Sequence, residues 1–270
     1  FYHLVSRYGD YLLMNQEEVE ERLWHNLKEW NLKKHMKWNK QYKYPSSTRS
    51  LIQGKRHYDV SDEILPSVTT ILSETQSAEK MESLARWRQK VGENKAAEIT
   101  NDAARRGTAM HSYLEYYVHN KKLMDLTDEG QAARSMAQEI IDKGFTDLTE
   151  IWGSEVTLFY PELYAGSTDL CGIYSGRESI VDFKQTNKPK RREWIEDYFL
   201  QLAGYAMAHD QVYGTCVDQG VILMCSKDGM FQKFTSNGKE FTDFKHKFLE
   251  RVGKFYKKQA EKSEKKGVLR

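Results

Sequence analysis

Three β-rich runs separated by two short turns constrain the fold of this chain more than any other feature. The runs cover about 150–160, 164–174 and 178–184 and are rich in β-branched and aromatic residues. The segment 161–163 fits a three-residue turn, and Ser175-Gly176 fits a two-residue hairpin turn. The sequence therefore predicts three successive antiparallel strands in this part of the chain.

The two turns also set the register of the predicted strands. They place Glu155 opposite Asp169, and Asp169 opposite Asp182. Directly opposed residues project from one face of a sheet with Cβ atoms about 5 Å apart, where like charges are destabilising unless a cation lies between them. Hard oxygen ligands without cysteine favour Mg²⁺ or Mn²⁺ over zinc. The register therefore predicts a carboxylate metal site, on condition that no one-residue bulge shifts the strands.

Strand alternation adds a cation to this site. Lys184 lies on the same face as Asp182, while Phe183 between them turns to the other face. A lysine in this position can orient a water, stabilise charge on a phosphate or take part in proton transfer. An isolated Asp-x-Lys triplet is most often a group of scattered surface charges, and it is the register that favours a site here.

The remaining pattern predicts helices on both sides of these strands. The order of elements indicates one α+β domain with a helical N-terminal extension. We divide the chain into an extension over 1–60, a helical part over 61–145 and a sheet core with a C-terminal helix over 146–270. The other predicted elements are helices over 16–40, 67–74, 78–99, 101–119, 128–143, 193–209 and 239–262, strands over 57–60, 217–226 and 230–235, and a connection over 41–57.

Composition argues against several classes of protein. The chain is 39% hydrophobic and 30% charged and has no apolar run of the ~20 residues that a membrane helix needs, so we expect a soluble intracellular protein. We expect the cytoplasm of a bacterial or phage-infected cell, or a mitochondrion if a targeting segment has been removed. The three cysteines form no Cys-x-x-Cys pair, which argues against a disulfide framework and an iron–sulfur cluster.

The net charge of +2 is unevenly distributed along the chain. Residues 61–183 carry 21 acidic and 12 basic groups, whereas residues 1–60 carry 7 acidic and 11 basic ones and residues 245–270 carry 3 acidic and 10 basic ones. This pattern suits an acidic metal site beside basic surfaces that bind a polyanion, although charged helix faces are more often plain solvated surface.

The motifs of the central region resemble those of a known group of nucleases. Gly166-Ser167-Thr168-Asp169, followed by Asp182-Phe183-Lys184, resembles the signature of the PD-(D/E)XK nucleases, in the RecB-type exonuclease branch. The resemblance covers about 65–235 and implies a mixed, largely antiparallel sheet flanked by helices. Two further elements of that branch are Gly107–His111 with Glu115 and Gln201–Tyr205, and the segments Leu65–Leu72 and Leu84–Trp87 resemble the mitochondrial genome maintenance exonuclease subgroup.

The resemblance implies roles for individual residues. It implies that His111 binds a metal ion, whereas a single histidine on a helix is otherwise more often structural. Gly107, His111 and Glu115 are four residues apart and share one helix face, as do Gln201 and Tyr205. The predicted metal ligands are His111, Asp169, Asp182 and the backbone carbonyl of Phe183; the predicted catalytic residues are Lys184, Asp182, Asp169 and Glu155; the predicted supporting residues are Gln201, Tyr205, Glu115 and Gly107.

The candidate DNA contacts are hydroxyls at a helix start and groups of cations. A helix start offers free N–H groups to a phosphate, although simple capping explains its hydroxyls equally well. Trp87 can stack on a base or lie in the core, and the basic loop Lys188–Arg192 can bind phosphates or be a solvated charge run. The candidates are Ser67, Thr69, Thr70, Arg86, Trp87, Arg105, Arg106, Lys188, Lys190, Arg191 and Arg192.

These observations lead us to expect a deoxyribonuclease that uses one or two Mg²⁺ or Mn²⁺ ions, with Lys184 positioning the attacking water. The resemblance implies an exonuclease of DNA replication, repair or recombination, which we expect to enter single-stranded DNA from a free end. A structure-specific endonuclease or a double-strand recombination exonuclease stays open. So does a CRISPR-adaptation-type nuclease, which usually has a four-cysteine cluster that this chain lacks, and so does a non-catalytic nucleic-acid-binding module.

Overall fold

The structure is a computed structural model that describes residues 36–121, 123–125 and 127–267. Contacts divide the chain into two compact units, Phe1–Lys37 and Trp38–Arg270. None of the helices within the described ranges is long and apolar enough to span a lipid bilayer.

The described residues form runs of strands separated by helices. Short 3₁₀ turns lie at Phe145–Asp147 and Arg192–Trp194. In chain order the elements are β1 (Lys37–Trp38), β2 (Thr48–Ile52), β3 (Lys55–Val60), β4 (Glu63–Pro66), α1 (Val68–Glu74), α2 (Ala78–Val91), α3 (Glu93–Val118), α4 (Asp128–Gly144), β5 (Leu148–Tyr160), β6 (Tyr164–Tyr174), β7 (Arg177–Thr186), α5 (Glu196–Tyr213), β8 (Gln219–Ser226), β9 (Phe231–Asn237) and α6 (Gly238–Gly267).

Six strands form one mixed sheet in the order β1-β5-β6-β7-β8-β9. The pairs β5–β6, β6–β7 and β8–β9 are antiparallel, whereas β7 and β8 are parallel and are joined by the crossover helix α5. The predicted α+β class, with a mixed, largely antiparallel sheet flanked by helices, is confirmed.

Apolar packing holds helices against both faces of this sheet. On one face Leu202 of α5 and Phe248 of α6 pack in a core cluster with Ile180 and Ile222 of the central strands, and all four are fully buried or nearly so. On the other face Phe183 of β7 packs against Phe145 with the two rings tilted and their centroids 5.7 Å apart. As predicted, Phe183 turns away from the side chains that flank it along the strand.

The hairpin of β6 and β7 has the predicted register. Ser175-Gly176 forms its two-residue turn with φ angles of 50° and 77°, as a mirror-image hairpin turn requires. Pairing ends at Leu170 and Val181, one step before Asp169 and Asp182. The two aspartates therefore lie together at the open end of the hairpin.

The pairing of β5 with β6 is also as predicted around the carboxylates. Thr168 and Leu170 pair with the residues on either side of Glu155, which places Glu155 opposite Asp169. Glu155 has a φ of 53°, in the left-handed region that non-glycine residues rarely adopt. The two register shifts between these strands lie nearer the start of β5, before Ser154.

The N-terminal predictions need three corrections. The predicted helix over 16–40 lies outside the described residues as far as residue 35. Its predicted end is wrong, because Lys37–Trp38 form the strand β1. Directly after this strand the Asn39 amide donates a hydrogen bond to the Ile151 carbonyl at 2.8 Å. The connection over 41–57 contains β2, which was missed because all five of its residues are exposed and show no alternation. The helix break expected near Thr100 lies at Gly92, whose φ of 89° ends α2.

A second, small sheet in the order β2-β3-β4 lies against β6. A parallel bridge joins Ser67 to Ala165, and Tyr58, Val60 and Leu65 bury their side chains with Ala165. This contact places the small sheet beside the open end of the β6–β7 hairpin.

Candidate active site

A cavity of about 430 Å³ lies where the small sheet, α3, α5 and the hairpin strands meet. Glu155, Asp169 and Asp182 all line it, together with Lys184. The three carboxylates that the register placed on one side of the sheet therefore face one space.

His111 completes a cluster with two of these carboxylates, which we call the His111 cluster (His111, Glu155 and Asp169). Its Nδ1 lies 3.4 Å from Asp169 Oδ1 and 3.8 Å from Glu155 Oε1. One ligand atom from each residue lies within 4.8 Å of the others, which is close enough for a single metal ion. The helical spacing of α3 also brings Gly107 and Glu115 to the cavity wall.

The opposite ring nitrogen of His111 is already engaged. Nε2 lies 2.9 Å from the carbonyl oxygen of Phe183, which can only accept, so Nε2–H donates and Nδ1 faces the carboxylates. Burial opposes the charged ring, but Asp169 and Glu155 outweigh burial and raise the pKa of His111 to about 10. The charged ring therefore pairs with both carboxylates, and a metal ion bound by either ring nitrogen would displace the proton on that nitrogen.

Asp182 and Lys184 form a buried ion pair beside the His111 cluster. Lys184 Nζ lies 2.5 Å from Asp182 Oδ2, and the Asp182 side chain is only 3% exposed. Burial, together with the nearby Asp169 charge, raises the pKa of Asp182 to about 6. Burial would lower the pKa of Lys184, but the charges of Asp182 and Asp169 outweigh it and raise that pKa, so the lysine carries its proton at neutral pH.

The donor set fits a hard divalent cation. Apart from its contact with the Lys184 charge, the buried Asp182 Oδ2 accepts no hydrogen bond of sound geometry from the described residues. Lys184 balances one of these charges, but three carboxylates that lie together with a histidine remain a favourable site for a further cation. Oxygen and imidazole donors without a thiolate suit Mg²⁺ or Mn²⁺.

Helix α5 supports Asp182 from the other side. Gln201 Nε2 lies 3.4 Å from Asp182 Oδ1 and 3.2 Å from the Tyr205 hydroxyl, so one amide joins the two groups. The Tyr205 ring packs against Gly166, where a Cβ would lie 2.6 Å from Tyr205 Cε1. Gly166 therefore permits the close approach of Tyr205 to the strand that carries Asp169.

The hydroxyls at the start of α1 act as caps. Ser67 is the N-cap and accepts a hydrogen bond from the Thr70 amide at 3.0 Å, while the Thr70 hydroxyl donates to the Arg56 carbonyl at 3.0 Å. Both residues are buried, whereas Thr69 is exposed, and Ser67 and Thr69 line the cavity. The capping interpretation therefore accounts for Ser67, the Thr70 hydroxyl is engaged by the Arg56 carbonyl, and Thr69 remains accessible to a substrate.

The candidate cations on α2 and α3 lie outside the cavity lining. Arg86 is exposed and Trp87 is partly buried. Arg105 pairs with Asp102 at 2.7 Å, and Arg106 donates to Gln185 at 3.1 Å.

The basic loop Lys188–Arg192 also lies outside the cavity lining. Arg192 donates two hydrogen bonds to Glu240, at 2.8 and 2.7 Å, and Arg191 lies 3.8 Å from Glu193. Gln232 of β9 hydrogen-bonds the backbone of Lys190. Arg192 therefore lies against α6, and the backbone of Lys190 lies against β9.

Arg49 and Arg56, which belong to β2 and β3, are among the cavity residues that sequence reasoning missed. A turn signal was present at Gln53-Gly54, where both residues have positive φ, and it pairs the two flanking strands. That signal identifies the hairpin but not its position over the cavity, which depends on contacts distant in sequence.

A mixed sheet that brings an Asp-x-Lys pair beside a His–Glu–Asp cluster is the arrangement that the resemblance of the motifs to the PD-(D/E)XK nucleases implies. No family model matches the sequence. The sequence is 31% identical over 218 residues to mitochondrial genome maintenance exonuclease 1 of Xenopus tropicalis, covering 73% of this chain and 59% of that protein. It is 29% identical over 176 residues to the Homo sapiens protein of the same name, covering 62% of this chain and 50% of that protein.

The chain is therefore a homologue of the mitochondrial genome maintenance exonuclease 1 proteins, and the predicted resemblance is confirmed. It spans about half to three fifths of the length of these relatives. A solved structure of a Eubacterium rectale protein assigned as an exonuclease has a TM-score of 0.42 and 14% identity, covering 57% of this chain and 67% of that chain. An alkaline exonuclease from Laribacter hongkongensis has a TM-score of 0.30 and 8% identity, covering 59% of this chain and 86% of that chain. These scores are too low to establish a shared fold.

Proposed function

We propose that this chain is a divalent-metal-dependent DNA exonuclease that hydrolyses phosphodiester bonds from a free end of a single strand. The observation that carries the proposal is the buried Asp182–Lys184 pair beside the His111 cluster, all within one cavity. The names of the homologues, which are exonucleases, support the same reaction class.

The residues of the cavity divide into ligands and a proton donor. We assign His111, Asp169, Asp182 and the Phe183 carbonyl as ligands of Mg²⁺ or Mn²⁺, with Glu155 beside them. When bound, the ion supplies positive charge that stabilises negative charge developing on the phosphate. The Phe183 carbonyl has a second lone pair beyond the one that accepts from His111.

Lys184 acts by charge in this proposal. Its ammonium is protonated at neutral pH and lies at the cavity edge with its side chain 21% exposed. It can therefore donate to a phosphate oxygen or orient a water, but it is a poor acceptor of protons. Gln201 and Tyr205 hold Asp182 in place and act as positioning residues.

The substrate assignment rests on the homologues and on the open cavity. We propose DNA with a single-stranded end as the substrate and DNA replication, repair or recombination as the setting. We also propose that residues 61–145 and 146–270 act together as the nuclease domain, because both line the cavity through His111 and Asp182.

The test compares a linear and a circular single-stranded DNA of one sequence, each incubated with the purified chain and Mg²⁺ or Mn²⁺. We expect the linear strand to be degraded and the circle to stay intact, because an exonuclease needs an end. Cleavage of the circle would show an endonuclease instead. Binding of both strands without cleavage would show a non-catalytic module. A blunt linear duplex in parallel measures the preference for single strands.

A further inference from the structure

We infer that Arg49 and Arg56 bind a phosphate of the substrate strand on the side of the cavity opposite the carboxylates. We call these two residues the arginine pair. The inference rests on the proposed function and assigns the ligand chemistry of a surface that the motifs do not cover. The ligand is a phosphodiester next to the one that is hydrolysed.

The register of the small sheet puts the arginine pair on one face. Arg49 lies opposite Tyr58, and Arg56 lies opposite Leu51 on the adjacent strand. Directly opposed residues share a face, and alternate residues along a strand do too, so all four side chains project the same way. Arg49, Arg56 and Tyr58 line the cavity, which shows that this face is turned toward it.

Neighbouring residues contact the side chain of Arg49 and the backbone of Arg56. The Arg49 guanidinium carbon lies 5.9 Å from the centre of the buried Tyr58 ring, within the range of a cation–π contact. The backbone carbonyl of Arg56 accepts hydrogen bonds from the Ser67 amide and the Thr70 hydroxyl, both at 3.0 Å. The strand that carries Arg56 is therefore tied to the start of α1 beside the cavity.

Neither guanidinium pairs with a carboxylate within the described part of the chain, and both residues are exposed. Two arginines outside the cavity differ in this respect, since Arg105 pairs with Asp102 and Arg192 with Glu240. Guanidinium donors that stay free inside a cavity are available to an oxyanion such as a phosphate.

The electrostatics of the cavity favour such a contact. Its carboxylates repel a polyanion, and a divalent cation neutralises the phosphate that binds directly to it. Neighbouring phosphates of the same strand still approach Glu155 and Asp169. Cations on the facing wall compensate this repulsion and fix the strand between the two walls.

The first experiment measures binding of a fluorescent single-stranded oligothymidylate in Mg²⁺, with Lys184→Ala in every protein so that the strand survives. Arg49→Gln and Arg56→Gln should each weaken binding about tenfold and lower the slope of log affinity against log salt by about 0.7. Arg134→Gln is the matched control, because Arg134 is exposed on α4 and does not line the cavity. Arg56→Lys should restore the salt slope but not the full affinity.

The second experiment locates the phosphate. Single methylphosphonate linkages, which remove one phosphate charge each, are placed along the same oligonucleotide. In the protein with the arginine pair intact, we expect a methylphosphonate at one or two positions to weaken binding. In the double variant Arg49→Gln/Arg56→Gln, a methylphosphonate at the same positions should have no effect.

Three outcomes separate the two proposals. If Arg49→Gln and Arg56→Gln bind the strand with the same affinity and salt slope as Arg134→Gln, the role of the arginine pair is overturned, whatever the wild-type protein hydrolyses. Methylphosphonate effects that persist unchanged in the double variant would also overturn it. Arginine-dependent binding by a wild-type protein that never cleaves would support the phosphate contact while overturning the nuclease assignment.

Discussion

At the scale of single residues, Asp182 and Lys184 have different tasks although they touch. Asp182 contributes a buried carboxylate oxygen to the cavity, whereas Lys184 contributes a proton-bearing cation. We predict that Lys184→Ala abolishes cleavage and leaves metal binding largely intact, and that Asp182→Ala abolishes both. Calorimetric titration with Mn²⁺ measures this. A complete loss of metal binding in Lys184→Ala would show that the lysine organises the ligands and would contradict this division.

Gly166 is a second residue with a specific role, because its missing side chain admits Tyr205. We predict that Gly166→Ala lowers the free energy of unfolding by about 1–3 kcal/mol through overpacking and reduces activity by displacing Tyr205 and Gln201. Gly253→Ala is the control, since nothing lies within 4 Å of the position its Cβ would take and it is a helical residue, where alanine stabilises by up to about 1 kcal/mol. Urea unfolding with parallel activity measurements tests both, and equal effects of the two variants would contradict the close packing.

At the scale of elements, the catalytic hairpins were predictable because their determinants are local. The turn at Ser175-Gly176 fixes the partners of each residue in β6 and β7, and strand alternation then fixes the face of Asp182. β2 was not predictable, since its five residues are all exposed and carry no apolar alternation. Its position over the cavity depends on contacts with β6 that join residues about a hundred positions apart.

The basic loop Lys188–Arg192 is an element whose contribution we expect to be modest. Three full phosphate contacts would change the salt slope of single-strand binding by about 2. Because Arg191 and Arg192 already pair with Glu193 and Glu240, we predict a smaller decrease when Lys190, Arg191 and Arg192 are replaced with alanine. All sequences should be affected alike. An unchanged slope would identify the loop as plain solvated surface, and a decrease of about 2 would mean that both ion pairs break on binding.

At the scale of the whole molecule, stability should depend on pH through a buried histidine distant from the carboxylates. Thr215 donates to Asp210, so it accepts from His209 Nδ1, and the other ring nitrogen, Nε2, lies 3.0 Å from the Tyr44 hydroxyl. Burial lowers the pKa of His209 to about 4, against the opposing effect of the Asp210 charge.

The sign of this effect follows from proton uptake. Between about pH 6.5, the ordinary histidine pKa, and the folded-state value, the unfolded chain binds a proton that the folded chain excludes. We predict that His209 lowers the free energy of unfolding by about 3 kcal/mol as the pH is lowered through this window, and that this component levels off below pH 4. His209→Gln should lack this component, whereas His246→Gln, at an exposed position, should keep it. Urea unfolding at several pH values measures the free energy of unfolding of each protein. Parallel curves of this free energy against pH for wild type and His209→Gln would refute the prediction.

The central claim is that the carboxylates of this cavity hydrolyse phosphodiester bonds with a divalent cation, and one measurement tests it most directly. The rate of release of nucleotides from an end-labelled linear single strand is followed for the wild type and for Asp182→Asn, with Mg²⁺ or Mn²⁺ and then with EDTA. We predict hydrolysis by the wild type that stops in EDTA, returns when the metal is restored, and is absent from Asp182→Asn. Hydrolysis that continues in EDTA, or that Asp182→Asn sustains at the wild-type rate, would contradict the account.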